Sequence, residues 1–207
     1  MIVKQYGLTY IRVREEDIEL IRYWRNRDFI RHTMQFQEYI TPSMQKQWFQ
    51  KINNKYNYYF LIEYDNKKIG LINCKDTDAN RVAEGGIFLW EKEYWNTPIP
   101  AFASLTMLQA IFEEFESGDT SIITVLKDNL HALKFNQYLG YSIFYETEKT
   151  YKLRLTKDDY YTKTYKLKKA AQILVGKDQS QLQIIAKPSE LLDEKINEYL
   201  IKKQKNN

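Results

Sequence analysis

The sequence contains a single cysteine, Cys74, so no internal disulfide can staple the chain. Cys74 sits mid-strand in a buried-looking pattern and reads as a core residue rather than a nucleophile. No apolar run approaches the roughly 20 residues that a membrane-crossing helix needs. Met1 to Gly7 lacks a charged segment followed by a long apolar one, so no signal peptide is expected, and a cytoplasmic location is. No metal-ligand cluster, nucleophile triad or Walker-type loop occurs, so no metal is expected. What is present is apolar and aromatic mass. Hydrophobic residues make up 43% of the chain, with 17 Tyr and 10 Phe, enough to pack a core and to exclude global disorder.

The length of 207 residues suits one domain of about 150 residues plus an extension. The net charge of +4 hides an asymmetry: residues 149–207 hold fourteen Lys or Arg against seven Asp or Glu. Such a basic tail can attract phosphates, an anionic membrane surface or nucleic acid. A solvated lysine-rich helix face accounts for it equally well, and charge alone does not make a nucleic-acid partner.

Leu8 to Val13 alternates as a strand does. The acids in Arg14-Glu15-Glu16-Asp17 suit the start of a helix, which runs through Ile18, Ile21 and Trp24 and fades near Asp28. A second helix follows Thr41-Pro42-Ser43 and carries Trp48, Phe49 and Ile52. Tyr58 to Tyr64 and Lys68 to Cys74 read as strands joined by a hairpin at Asp65-Asn66-Lys67, and Glu84 to Trp90 as a third. From Pro98 the period changes: Ala101, Leu105, Leu108, Phe112 and Phe115 recur at helical spacing until Ser117-Gly118. A buried strand at Ser121 to Val125, a helix opened by Asn129, and strands at Tyr141 to Glu146 and Lys149 to Leu155 follow. A helix from Asp158 to about Leu174, a small strand at Leu182 to Ala186 and a helix from Ser189 complete the order. The class is α+β, with a domain over 1–156 and a basic, mostly helical extension over 157–207.

One segment points further. In Asp128-Asn129-Leu-His-Ala132-Leu-Lys-Phe135-Asn136-Gln-Tyr-Leu139-Gly140-Tyr141, Asp128 and Asn129 suit a helix start. Ala132, Phe135 and Leu139 share a face, and Gly140 suits a C-terminal cap. This stretch resembles the late helix and strand of GNAT-type N-acetyltransferases, enzymes that pass acetyl from acetyl-CoA to an amine, and the element order over about residues 8–156 resembles their fold. The resemblance implies a mixed central sheet flanked by helices, with acetyl-CoA as co-substrate. It implies that Ile87, Phe88, Leu89 and Trp90 offer backbone groups to the pantetheine arm and thioester. It places the pyrophosphate at the following turn and helix start, at Asn96, Thr97, Ile99 and Ala101. Asn129 would cap its helix and touch the pantetheine.

Two departures stand out. The phosphate loop of the family is rich in glycine with a basic lead-in, whereas this chain reads Tyr94-Trp95-Asn96-Thr97-Pro98-Ile99-Pro100-Ala101. Proline removes an N–H and glycine is what lets a backbone approach a ligand, so weaker CoA binding than in a glycine-rich relative is expected. The family's tyrosine acid on the late helix is Asn136 here. Asn136 can hydrogen-bond the sulfur or pantetheine but cannot release a proton, and Tyr138 lies on the far side of the helix. For the base, the resemblance implies Glu84, with His32 as competitor; His131 is expected to be exposed.

The acceptor is read from Tyr23-Trp24-Arg25-Asn26, Ile30-Arg31-His32-Thr33-Met34 and Thr41-Pro42-Ser43 with Trp48-Phe49. These resemble sugar-nucleotide N-acetyltransferases of bacterial glycan pathways that act on aminodideoxy sugars of the pseudaminic acid type. Trp24, Arg25, Asn26, Arg31, His32 and Met34 would then meet a small-molecule acceptor, with arginines on its diphosphate. The runner-up is a ribosomal-type protein N-terminal acetyltransferase, and the third reading is a catalytically silent GNAT-like binding module. A homodimer is left open.

Overall fold

The computed structural model describes residues 1–77, 82–115 and 118–185. Their centre is one mixed sheet in the order β7-β8-β6-β5-β4-β3-β2-β1-β9. The strands are β1 (Ile2–Gln5), β2 (Leu8–Arg12), β3 (Asn57–Tyr64), β4 (Lys67–Thr77), β5 (Val82–Leu89), β6 (Thr120–Leu126), β7 (Ser142–Glu146), β8 (Thr150–Thr156) and β9 (Gln183–Ile185). The helices are α1 (Ile18–Arg25), α2 (Asp28–Arg31), α3 (Pro42–Ile52), α4 (Ile99–Gln109), α5 (Leu130–Tyr138), α6 (Lys157–Lys163), α7 (Tyr165–Val175) and α8 (Lys177–Ser180).

The hairpin between β3 and β4 turns on Asp65 and Asn66, both at positive φ (50° and 60°), the left-handed pair that matches strand twist. Two cores lie on opposite faces. On one, Tyr10, Tyr58, Phe60, Ile62, Ile72 and Cys74 pack under α4 through Phe102, Ala103 and Met107, and under the turn that follows it through Ile111. On the other, Tyr59, Leu61 and Leu71 pack under α1 and α3 through Ile18, Ile21 and Phe49. Cys74 is fully buried, as expected of a core residue.

The structure corrects several boundaries. Residues 2–5 form β1, which pairs with β2 on one side and β9 on the other; Ile2 and Val3 gave too short a signal to read alone. Glu15–Asp17 form a 3-10 turn ahead of α1. α4 runs on into a wide π-type turn over Ala110–Glu114, where Phe115 N–H donates to Ala110 O. The single helix expected from Asp158 to Leu174 is two, broken at Thr164, whose buried hydroxyl donates back to Tyr160 O. A back-bonding Thr of this kind competes with the helix backbone. Residues past 156 share the sheet through β9 and the core through Tyr160 and Ala171. Ser117, Ala186 and the helix expected from Ser189 lie outside the described residues.

Candidate active site

The site begins where two parallel strands part. β5 pairs with β6 only at Val82–Thr120, Ala83–Ser121 and Glu84–Ile122. From Gly85 onward β5 pairs with β4 alone, as far as Leu89 opposite Gly70. Alternate backbone N–H and C=O groups along Gly85–Leu89 therefore face the gap rather than a neighbouring strand. Gly70 permits this tight β4–β5 contact, since a Cβ there would collide with Leu89 Cδ2 and meet Phe88 O at 2.6 Å.

The gap opens into a cavity of about 1030 Å³ that passes through the sheet. On the α1–α3 side it is lined by Arg25, Met34, Gln45, Trp48, Tyr59, Asn73, Lys75 and Phe88. The Arg25 guanidinium lies 5.8 Å from the Phe88 ring centroid, and its Nε is buried with no hydrogen-bond partner among the described residues. Burial pushes the Arg25 pKa down, against a smaller pull upward from Tyr59. Gln45, 3% exposed, likewise leaves a buried Nε2 without a partner. Burial, with Glu84 and Cys74 adding to it, pushes the Tyr59 hydroxyl up to about 12 against the opposing effects of Arg25 and a hydrogen bond from Trp48. Tyr59 is thus neutral near neutral pH. Arg25, Lys51 and Lys75 line this side, and among the described residues no carboxylate does.

On the α4–α5 side the lining is Ile87, Leu89, Asn96, Pro100, Ser104, Asn129, Ala132, Phe135, Asn136 and Tyr141, with exposed His131 at the rim. Asn129 caps α5, its Oδ1 accepting from Ala132 N–H at 3.1 Å. Asn136 Nδ2 donates to Ala132 O at 2.8 Å, which holds its amide along the helix and leaves Oδ1 as the free end. Tyr138 is 68% exposed and points elsewhere. Tyr141 and Ser121 share a 2.8 Å hydrogen bond at the closed end of the gap, and burial drives the Tyr141 pKa upward. At the start of α4, Pro98 and Pro100 lack N–H groups and Ile99 N–H donates to Thr97 Oγ1 at 3.3 Å. Few free donors remain there for a phosphate.

Of the acceptor candidates, the structure brings Arg25 and Met34 to the cavity and leaves the rest outside it. Trp24 stacks on Trp90, with centroids 5.7 Å apart and rings 4° from parallel. Asn26 clamps the backbone of Ile40, donating to its O at 2.9 Å and accepting from its N–H at 2.8 Å. Arg31 pairs with Asp28 at 2.6 Å, and His32 is exposed. Among the cofactor candidates Ile87, Phe88, Leu89, Asn96, Asn129 and Asn136 line the cavity, whereas Trp90, Thr97, Ile99 and Ala101 do not. Trp90 is buried and donates from Nε1 to Lys68 O at 2.8 Å. Glu84 stands on the α1–α3 face opposite Lys75, its carboxylate 3.1 Å from the ammonium and beside the cavity rather than in its lining. Gln45, Tyr59, Asn73 and Lys75 were not anticipated as site residues, and Trp48 entered only as part of the segments from which the acceptor was read.

Comparison with known proteins agrees with this geometry. The sequence profile of the acetyltransferase (GNAT) domain matches residues 8–142. The chain belongs to the GNAT family and is an acetyl-CoA-dependent N-acetyltransferase. Among solved structures it is similar to FdhC, described as a nucleotide-linked sugar GNAT, with 21% identity and a TM-score of 0.68 over 81% of this chain and 96% of that one. It is also similar to PseH of Campylobacter jejuni, an N-acetyltransferase, with 20% identity and a TM-score of 0.54 over 75% and 96%. Spermidine N-acetyltransferase of Vibrio cholerae, solved with CoA and spermine, has 15% identity and a TM-score of 0.62 over 75% and 99%. No curated protein matches the sequence.

Asn129→Ala separates two roles of one side chain. Loss of the cap should cost about 1 kcal/mol, a drop in Tm of roughly 2–4 °C. A contact with the pantetheine would also raise the acetyl-CoA KM. A lower Tm with unchanged KM would leave Asn129 a cap alone.

Proposed function

We propose that the chain acetylates the amino group of a nucleotide-linked amino sugar, by direct attack in a ternary complex with acetyl-CoA. Acetyl-CoA would enter from the α4–α5 side, its pantetheine along Ile87–Leu89 and beside Asn129 and Asn136, its pyrophosphate near Asn96. The amine would come from the α1–α3 side. Transfer from a thioester needs mainly a positioned, deprotonated amine and a polarised carbonyl, and the backbone groups along Gly85–Leu89 suit the second task. Glu84 would take the amine proton through water, since its carboxylate stands beside the cavity.

The observation that carries the choice of acceptor is the charge of the chamber. Its described lining has Arg25, Lys51 and Lys75 and no carboxylate; Lys75 is paired with Glu84 beside the cavity, so Arg25 and Lys51 carry the net positive charge, next to the aromatic surfaces of Trp48, Tyr59 and Phe88. A polyamine, an aminoglycoside or a peptide N-terminus bears positive charge and is repelled by such a wall; a nucleotide diphosphate is attracted to it. The likeness to FdhC supports the same reading.

The test offers acetyl-CoA with three acceptors in turn: a UDP-linked 4-amino-4,6-dideoxyhexose, spermidine, and a peptide with a free N-terminus. The sugar nucleotide should show a kcat/KM at least about 10²-fold above the other two, falling as salt rises. A preference for spermidine or for the peptide would overturn the proposal.

A further inference from the structure

Asn73 occupies β4 opposite Gly86 of β5, in register between the Leu71–Phe88 and Lys75–Glu84 pairs. A Cβ on Gly86 would lie 2.8 Å from Asn73 Oδ1, so the space of the missing side chain is where that oxygen sits. The other end of the amide is tied down: Nδ2 donates to Glu84 O at 3.4 Å. Oδ1 makes no hydrogen bond among the described residues, and Asn73 lines the cavity. At the preceding residue the geometry reverses. A Cβ on Gly85 would point toward the other face, 3.5 Å from Ile123 Cγ2 and 3.7 Å from Ser121 Oγ. Two successive glycines thus remove side-chain bulk from both faces of β5 where it parts from β6: Ile123 and Ser121 approach it on one face, and on the α1–α3 face the neutral oxygen of Asn73 takes the place of a side chain.

We propose that Asn73 Oδ1 receives a hydrogen bond from the attacking amine and aims its lone pair at the thioester carbon. This rests on the acetyl-transfer reading above and on the side from which the amine enters, but not on which amine it is. In the step itself the nitrogen lone pair forms the C–N bond and the C–S bond breaks, its electron pair leaving on the CoA sulfur. The proton that nitrogen loses passes to Glu84 through water and returns to the sulfur or to solvent. An amide oxygen orients an N–H without adding a negative charge beside it. A carboxylate at the same place would hold the ammonium form and keep its lone pair occupied to higher pH. The neutral acceptor at position 73 therefore fixes direction while leaving the amine free to deprotonate.

Three enzymes are compared, wild type, Asn73→Ala and Asn73→Asp, using whichever of the three acceptors above wild type acetylates fastest. Asn73→Ala should lower kcat by about tenfold or more and leave the acetyl-CoA KM within about twofold. Asn73→Asp, nearly isosteric, should recover most of the rate at high pH, with the acid limb of kcat moved up by about one pH unit. Loss of packing alone cannot move that limb. The proposal is overturned if Asn73→Ala keeps kcat within about twofold of wild type, or if Asn73→Asp follows the wild-type pH profile. Should the alanine variant fail to fold, the pH profile of Asn73→Asp decides. If wild type acetylates none of the three amines, the proposed use of this cavity falls and takes this proposal with it, a result distinct from a normal wild type beside an unaffected variant.

Discussion

Glu84→Gln is expected to lower kcat by about 10²-fold or more while leaving acetyl-CoA affinity nearly intact. Glutamine keeps the shape of the side chain and most of its hydrogen bonding, so a loss confined to turnover would report the missing proton acceptor. The surroundings of the cavity offer few competitors. Tyr59, nearby on the same face, has its hydroxyl pushed up to about 12 chiefly by burial, so it holds its proton near neutral pH. Lys75 is a partner of Glu84, with 3.1 Å between charges, and bears the wrong sign for a base while protonated. The rate deficit of Glu84→Gln should shrink as pH rises, because a growing fraction of the amine is then deprotonated without help. His32→Ala is the control. His32 is exposed and outside the cavity lining, and its removal should leave kcat and both KM values within about twofold of wild type. An inactive His32→Ala beside a normal Glu84→Gln would reverse the two roles.

The sequence carries the frame of this site well and its walls poorly, and the difference has a physical cause. Asn129 and Gly140 mark the two ends of α5 through local chemistry, a side-chain cap at one end and a positive φ of 96° at the other, so both are legible within a few residues of chain. Asp65-Asn66 announces its hairpin for the same reason. Tyr58 to Ile62, by contrast, is buried at every position, because the sheet is covered on both faces. Period-two alternation then vanishes, and nothing local tells Tyr59, which faces the cavity, from Tyr58, which does not. Asn73 is silent for a related reason: its meaning comes from the register that sets it opposite Gly86, a relation between strands. Trp24 misled because its partner Trp90 is remote in sequence. Arg25 was named through the family resemblance alone; the periodicity read from Ile18, Ile21 and Trp24 did not single it out, and it is α1 in the structure that brings Arg25 to the cavity beside Ile21.

Arg25→Met is expected to make the protein more stable and the enzyme much worse. The Arg25 side chain lies against Phe88, and among the described residues its buried Nε has no hydrogen-bond partner and no carboxylate pairs with it. Keeping a guanidinium in such a place costs free energy that the Phe88 ring and Tyr59 offset only in part. Methionine fills a similar volume without charge, so Tm should rise by roughly 2–4 °C, the equivalent of about 1 kcal/mol. The sign follows from the pKa. Burial lowers the folded-state pKa of Arg25 below its ordinary 12.5, so across the interval between the two values the unfolded chain binds more protons and stability climbs with pH. Below the lowered pKa the cost is present in full, which makes the gain from Arg25→Met constant through the neutral range and smaller only in strong base. Activity should move the other way. If Arg25 meets the diphosphate of the acceptor, its loss should raise the acceptor KM by about 10²-fold, with the acetyl-CoA KM unchanged. Arg25→Lys should keep part of the attraction but lose the planar fork of donors, falling between the two. Thermal melts and initial rates on the three proteins check both halves. A variant that melts higher yet binds the acceptor normally would make Arg25 a tolerated flaw in the core, whereas a lower Tm would mean that the guanidinium holds the helix face in place.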